Sequence, residues 1–142
     1  MEVLNQLRPN QAQMAGFTEG ATDGPIYMLN LLKFKDRAEY ADGRNSGLTG
    51  REAYTLYTNA VSELLKEFGG SLTLKASVKR LTIGEVDDLW DDVAIAMYPS
   101  RAAMLQMMQS EKMQEIGLHR TAGLAGQLNI ECVDAEGAWF SS

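Results

Sequence analysis

The chain has 142 residues, 45% of them hydrophobic, and a net charge of −6, which is typical of one soluble globular domain with a substantial core. Proteins that bind nucleic acids or anionic membranes concentrate positive charge, so this charge balance argues against both partners. No apolar run approaches the ~20 residues of a membrane span, and the first residues lack a signal-peptide pattern. The single cysteine, Cys132, excludes an internal disulfide and favours the reducing cytoplasm.

The most informative stretch is PIYMLNLLKFK, over residues 25–35, which is almost unbroken apolar residue. A strand that is apolar on both faces must be covered on both faces, so a central strand is predicted over 26–34. A lone amide, Asn30, stands in its middle, and a buried amide without partners costs about 1–3 kcal/mol. Asn30 therefore marks either a polar spot in a ligand pocket or a core amide that bonds to the backbone.

The polar segment over 35–48 is predicted to be a mobile flap or a disordered excursion, because so long a connection is uncommon in a compact domain. A helix is predicted to follow it. The sequence Thr49-Gly50-Arg51-Glu52 fits a capping box, and apolar residues then recur at three- and four-residue spacing as far as Phe68. Gly69 supplies the left-handed stop.

A second strand is predicted to start at Ser71, and its alternation then slips so that Leu81 and Ile83 become the apolar positions. A bulge near Lys79–Arg80 would explain the slip, because a bulge turns the later side chains to the other face. The acidic stretch over 84–92 is predicted to be a solvated hairpin, since it lacks the ligand pattern of a calcium loop.

A third strand is predicted over 93–98, and Ser100 caps the helix after it. Ser110 caps a continuation of that helix, and a fourth strand is predicted over 127–133. The order β-α-β-β-α-β predicts an α+β fold of the ferredoxin-like type, in which helices cover one face of a four-stranded antiparallel sheet.

Three segments are thus predicted: an extension over 1–24, in which Pro9 opens a short helix, a ferredoxin-like domain over 25–134, and a tail over 135–142. Two helices cover only one face of such a sheet, whereas the first strand is apolar on both. The uncovered face needs a partner, and a second copy packed sheet to sheet is the simplest one. A homodimer is therefore predicted.

These residues resemble the DUF1330 domain family, an uncharacterised family of the dimeric α/β-barrel superfamily. The likeness covers roughly residues 25–131, and the segments that carry it occur in the family's order: MLNLLKF at 28–34, YTLY at 54–57, FGG at 68–70, WDDVAIAMYPS at 90–100 and HRTAGL at 119–124. The resemblance implies a ferredoxin-like fold that dimerises through its sheets. It also implies that the family tends to keep Asn30, Tyr57, Trp90, Asp91, Pro99, Ser100, His119 and Arg120.

The chain departs from the family at Ser110–Met113, where the family often has Ser-Pro-Glu-Tyr, so an aromatic hydroxyl is absent there. The family brings no agreed activity. Relatives in the superfamily include cofactor-free monooxygenases, small-ring isomerases and haem enzymes, and the fold alone does not choose among them.

Two candidate catalytic residues are predicted. His119 is the only histidine, and it is either a general acid or base or a helix-end residue that favours the C-terminal dipole. Asn30 would hold a developing oxyanion if it is not an ordinary core amide.

Four candidate substrate-binding residues join them. Arg120 and Arg80 present planar donors that bind an anion, or alternatively pair with a carboxylate of the chain. Tyr57 lies on the apolar stripe of its helix and Trp90 in the acidic stretch. Each is either a pocket residue or ordinary core packing.

The predicted function is cytosolic small-molecule binding, with a cofactor-independent enzyme acting on a small anionic or aromatic metabolite as one form of it. A non-catalytic ligand sensor and a structural dimerisation domain are the alternatives. One histidine and one cysteine cannot form a standard zinc site, and no dinucleotide fingerprint or P-loop is present. No metal or cofactor is therefore predicted.

Overall fold

The computed structural model of the chain describes residues 3, 6–19 and 24–134. Along them lie α1 (Gln11–Glu19), β1 (Ile26–Phe34), α2 (Gly50–Glu67), β2 (Ser71–Ser77), β3 (Asp92–Tyr98), α3 (Arg101–Met108), α4 (Glu111–Gly123) and β4 (Leu124–Cys132). The tail predicted over 135–142 lies outside the described residues. No helix in the described part of the chain is long and apolar enough for a membrane crossing.

The four strands form one sheet in the order β2-β3-β1-β4, and every pair of neighbours is antiparallel. β1 is therefore central, as its apolar sequence predicts. The predicted α+β, ferredoxin-like fold is confirmed, with its second helix divided into α3 and α4.

The two faces of the sheet differ in what covers them. Ile26, Met28 and Leu32 of β1 are buried beneath the helices, in a cluster that includes Leu65 of α2 and Met107 of α3. The side chains that alternate with them are only half-buried; in β1 these are Tyr27, Leu29 and Leu31. The helices thus cover one face, and no helix or strand of the described residues covers the opposite face.

The helix caps predicted from the sequence are present. The hydroxyl of Thr49 accepts from the backbone N–H of Glu52 at 3.1 Å, and the Glu52 carboxylate accepts from the N–H of Thr49 at 2.9 Å. Gly69 ends α2 with a φ of 79°. The hydroxyls of Ser100 and Ser110 accept from the backbone N–H groups of Ala103 and Met113 and so cap α3 and α4. The break between these helices therefore follows from two local signals.

α2 begins where α4 ends, and two glycines allow that contact. A Cβ on Gly50 would collide with the carbonyl oxygen of Lys35 and come within 2.7 Å of that of Gly123. A Cβ on Gly123 would collide with the carbonyl oxygen of Gly50. Backbone atoms surround both positions, so no side chain can move aside to make room.

The predicted bulge near Lys79–Arg80 is wrong, because the irregularity lies earlier in the strand. The register shifts between Leu72 and Leu74, so that Leu72 is paired with Ala96 on the helix side and Leu74 with Ile95 on the open side. β2 ends at Ser77. Leu81 and Ile83, where the apolar alternation changes phase in sequence, lie in an irregular segment after the strand, and Ile83 is 89% exposed.

Carboxylates of the acidic stretch bond to β1 and to α2. The predicted solvated hairpin did not include these contacts. Asp92 is only 3% exposed and pairs with Arg51 at 2.8 Å. Asp91 accepts from the backbone N–H of Phe34 at 2.9 Å, and Asp88 pairs with Lys33 at 3.0 Å. These carboxylates fix the start of β3 against β1 and α2.

The predicted flap over 35–48 is also wrong, because this segment is docked on the end of α4. Lys35 and Glu39 donate backbone hydrogen bonds to the carbonyl oxygens of Gly123 and Ala122, at 2.8 and 3.0 Å. Tyr40 is 8% exposed and packs in a small cluster with Ala122. A buried tyrosine and these tertiary bonds hold the segment in place.

Candidate functional site

A cavity of about 740 Å³ lies between the helix side of the sheet and the helices. Its lining is mostly apolar and includes five methionines: Met14, Met28, Met104, Met108 and Met113. Polar groups of this lining are concentrated near the junction of β1, β4 and α4. An apolar cavity with a few convergent polar groups is the usual form of a small-molecule site.

Asn30 stands on the floor of the cavity with all of its amide groups engaged. Its Nδ2 donates to the carbonyl oxygens of Met28 and Ala94, at 3.1 and 3.3 Å. Its Oδ1 accepts from Gln127 Nε2 at 2.7 Å and from Asn129 Nδ2 at 2.6 Å. Asn30 therefore directs its N–H groups at the backbone and not at a ligand, and the free donor expected for an oxyanion is not there. Instead it orients Gln127.

Arg120 projects from α4 into the cavity and lies on top of this network. Its Nη2 donates to Gln127 Oε1 and, at 2.8 Å, to the carbonyl oxygen of Leu7. Both acceptors are neutral. Within the described ranges no carboxylate pairs with Arg120, and its Nε and Nη1 have no acceptor. Three N–H groups of a half-buried cation are thus left for a ligand.

The charged residues that line the cavity carry a net positive charge, although the whole chain is negative. They are Arg8, Arg120 and Glu131, and Glu131 is neutralised by a two-point ion pair with Arg101, at 2.6 and 2.7 Å. Arg101 holds the pKa of Glu131 below its usual range through this pair. The net charge of the lining is therefore positive in a protein of charge −6.

Three tyrosines, Tyr54, Tyr57 and Tyr98, line the cavity beside Arg120. Burial raises the pKa of all three, and repulsion from Tyr57 adds to this at Tyr54 and Tyr98, while Arg120 acts in the opposite direction on Tyr54 and Tyr57. Their hydroxyls are consequently protonated donors at neutral pH. In the described part of the chain every fully buried side-chain polar atom has a partner, and no residue there bonds these hydroxyls, so they reach the open cavity.

The raised pKa values predict that the fold loses stability in alkali. Below pH ~10, the ordinary tyrosine pKa, folded and unfolded chains both carry neutral phenols. Above it the unfolded chain ionises first, so the free energy of unfolding falls by about 1.4 kcal/mol per pH unit for each such group. Urea unfolding between pH 8 and 11 measures this fall, and Tyr57→Phe should reduce it. Equal slopes for the variant and the wild type would contradict the buried position of Tyr57.

The other three predicted site residues lie elsewhere. His119 is the neighbour of Arg120, but one step along a helix turns a side chain by about 100°. Its Nδ1 therefore meets the hydroxyl of Tyr40, at 2.6 Å, on the docked 35–48 segment. Arg80 is exposed and Trp90 half-buried in the irregular segment between β2 and β3. The cavity lining thus includes Asn30, Tyr57 and Arg120 and leaves out His119, Arg80 and Trp90.

Gln127 is the main residue of the site that the sequence pattern did not single out. A signal was present, because Gln127, Asn129 and Glu131 alternate with apolar residues in β4. The register places these three polar residues on the side of Asn30, beneath the helices. The apolar residues that alternate with them, Leu128 and Ile130, lie on the opposite face of the sheet.

Comparison with known proteins finds a protein that is similar to this chain in both sequence and structure. No family model matches the chain, and no curated protein matches it. A crystal structure of the RPA0582 protein of unknown function from Rhodopseudomonas palustris is 31% identical, with a TM-score of 0.83, and the match covers 94% of this chain and 99% of that one. The methylated form of RPA0582 is 32% identical, with a TM-score of 0.84, over 93% and 96% of the two chains.

Two more distant structures share the fold. A putative antibiotic biosynthesis monooxygenase from Caulobacter crescentus is 12% identical, with a TM-score of 0.54, over 82% of this chain and 94% of that one. A dimeric ferredoxin-like protein of unknown function from Jannaschia is 16% identical, with a TM-score of 0.51, over 78% and 99%. Identity this low shows the fold alone. The match to the Rhodopseudomonas palustris protein is much stronger and spans nearly all of both chains, so this chain belongs to the same family as RPA0582.

Proposed function

We propose that the protein binds a small organic anion with an apolar body, and that Arg120 anchors the anionic group. The observation that carries this proposal is the guanidinium itself, which lies in an apolar cavity with two neutral acceptors on Nη2 and with Nε and Nη1 unused. A cation withdrawn from water is costly unless a counter-charge meets it. A carboxylate, sulfonate or phosphate of the ligand would supply that charge.

The rest of the lining narrows the class of ligand. The cavity volume of about 740 Å³ suits a small molecule and not a peptide or a polymer. Methionine and aromatic side chains favour a flat or ring-containing apolar body. The hydroxyls of Tyr54, Tyr57 and Tyr98 are donors, so oxygen acceptors on that body would be favoured as well.

A matched pair of probes and a matched pair of variants test the anchor. 2-Naphthoate and its neutral amide differ in charge but hardly in shape, so wild-type protein is expected to bind the carboxylate more tightly. Because a charge-assisted hydrogen bond contributes roughly 1.5–3 kcal/mol, Arg120→Gln should weaken 2-naphthoate binding about tenfold to a hundredfold. Titration calorimetry measures both affinities.

Arg80→Gln is the control, since it removes the same charge from the exposed segment outside the cavity. Its affinity for 2-naphthoate should equal that of the wild type. Equal weakening by both variants would mean that only the net charge matters, and no weakening by Arg120→Gln would remove Arg120 from the proposed site.

A cofactor-independent enzyme is the second candidate, and one observation favours it. Arg120 and the protonated hydroxyls of Tyr54 and Tyr57 converge on one region of the cavity, where they would stabilise negative charge that develops on a substrate. Ligand binding is common to an enzyme and a sensor, so a turnover assay on ligands found by binding separates the two.

We also propose that the protein is a homodimer through the side of the sheet that no helix of the described residues covers, here called the open face. Its side chains are Tyr27, Leu29 and Leu31 of β1, Leu74 and Ala76 of β2, Val93, Ile95 and Met97 of β3, and Leu128, Ile130 and Cys132 of β4. In β4 the apolar residues lie on this face while the polar ones point beneath the helices. A strand with its apolar side turned away from its own core favours a second layer over the open face. The Jannaschia protein of the same fold is described as dimeric.

Two finer assignments rest on the sequence. The segments MLNLLKF at 28–34 and HRTAGL at 119–124, with the others that carry the resemblance, support placing the family in DUF1330. The single cysteine supports a cytoplasmic location.

A further inference from the structure

We propose that residues 6–19, here called the strap, form a lid over the cavity, and that Arg120 couples closure of the lid to binding of the anion. This inference rests on the proposed function, because it concerns the same cavity and the same guanidinium. The proposal goes beyond that function because it assigns an opening and closing motion to the strap.

The strap covers the cavity but is held by little apolar burial. Leu7, Pro9, Met14 and Phe17 all contribute to the lining. α1, however, has no buried residue, and only Leu7 and Phe17 of the strap are partly buried against the core. Segments with few buried contacts open at low free-energy cost, which is what a lid requires.

α1 is locally self-contained, so the strap can move as a unit. Asn10 and Gln13 exchange reciprocal bonds at its first turn: Asn10 Oδ1 accepts from the Gln13 N–H at 2.8 Å, and Gln13 Oε1 accepts from the Asn10 N–H at 2.9 Å. These bonds satisfy orphan donors at the helix start without help from the rest of the domain.

Two arginine side chains tether the strap, one near each end. Arg120 Nη2 donates to the carbonyl oxygen of Leu7 at 2.8 Å. Arg101 Nη1 donates to the carbonyl oxygen of Phe17 at 3.2 Å, and its guanidinium lies 5.0 Å from the centre of the Phe17 ring. A single backbone bridge between Gln6 and Gln127 adds to the first tether.

The first tether and the anion anchor are one and the same guanidinium. Nη2 of Arg120 holds the strap, whereas no described residue accepts a hydrogen bond from Nε or Nη1 of this cavity-lining side chain. An anion on Nε or on Nη1 would immobilise the guanidinium and so strengthen its bond to Leu7. Because binding free energies are reciprocal, a closed strap would in turn retain the anion.

Hydrogen exchange of the strap in the presence of 2-naphthoate tests the coupling. At saturating 2-naphthoate the amides of 11–19 are expected to exchange at least about threefold more slowly, which mass spectrometry of the full-length protein resolves. In Arg120→Gln, at a concentration that gives equal occupancy by calorimetry, this protection should be absent. Binding without any slowing in the wild type would overturn the lid and leave the proposed function standing. Failure of 2-naphthoate to bind would overturn both.

A second variant isolates the other tether without adding charge to the cavity. Arg101→Gln alone would leave Glu131 unpaired in the lining, so the double variant Arg101→Gln/Glu131→Gln is the suitable one. Its strap should exchange faster than that of the wild type without any probe, and 2-naphthoate should dissociate severalfold faster. Wild-type values for both measurements would overturn the role of the strap as a lid.

Discussion

Replacing Gly50 by alanine is expected to destabilise the fold by about 3 kcal/mol or more, the upper range of overpacking effects. The added Cβ would collide with the carbonyl oxygen of Lys35, and it would lie 2.7 Å from the backbone nitrogen of Lys35 and from the carbonyl oxygen of Gly123. Relief would require the start of α2 to move away from both Lys35 and the end of α4. Urea unfolding, with the free energy extrapolated to water, measures the loss.

Gly117 provides the matched control, because it lies inside α4 and a Cβ there would meet nothing within 4 Å. Gly117→Ala is therefore expected to stabilise the protein by about 0.5–1 kcal/mol, the difference in helix propensity between the two residues. A Gly50→Ala variant within about 1 kcal/mol of the wild type would contradict the close approach of the two helices.

This contact illustrates which features of the fold could be predicted from sequence. The capping residues Thr49 and Glu52 predict the start of α2, and Ser100 and Ser110 predict the starts of α3 and α4. These starts are visible in the sequence because a cap is an interaction between residues close in the chain. The requirement for glycine at position 50 depends on backbone atoms of Lys35, just after β1, and of Gly123 at the end of α4. No local sequence pattern predicts a contact between residues so far apart, although Gly50 lies within the Thr49–Glu52 capping segment.

The wrong predictions for residues 35–48 and for the bulge in β2 also concern interactions that local sequence patterns do not show. The segment over 35–48 has few apolar residues and long polar stretches, yet Tyr40 docks against Ala122 and meets His119 through a bond between residues far apart in the chain. The bulge predicted near Lys79–Arg80 is wrong because the change of phase after Val78 marks the end of β2 at Ser77 and not a bulge, whereas the register shift between Leu72 and Leu74 leaves no break in the apolar alternation. Arg80 was a candidate for the site only because of that predicted bulge.

Three of the six predicted residues line the cavity for a physical reason. Asn30 and Arg120 interrupt the apolar faces of β1 and α4, and Tyr57 lies on the apolar face of α2, so the direction of each side chain follows from periodicity alone. The direction of His119 and Trp90 depended on a loop and on an irregular segment. The polar network itself joins β1, β4 and α4, and only the folded chain brings these elements together.

Replacing Leu74 by lysine is expected to convert the proposed homodimer into a monomer. Leu74 lies on the open face of β2, opposite Ile95 of β3. In a twofold-symmetric interface each substitution occurs in both copies. Loss of burial of one leucine costs about 1.5–3 kcal/mol, so the doubled cost weakens association by a factor on the order of 100 or more. Light scattering coupled to gel filtration, at a few micromolar protein, gives the mass directly.

Leu56→Lys is the control that separates the interface from a general effect of a surface lysine. Leu56 and Leu74 are both 44% exposed, but Leu56 lies on α2, on the opposite side of the sheet. The Leu56 variant should remain a dimer while the Leu74 variant becomes a monomer. Dissociation by both variants would place the contact elsewhere, and a monomeric wild type at tens of micromolar would remove the dimer altogether. The open face would then need a different occupant, because eleven mostly apolar side chains on four adjacent strands form a patch larger than monomeric proteins usually expose.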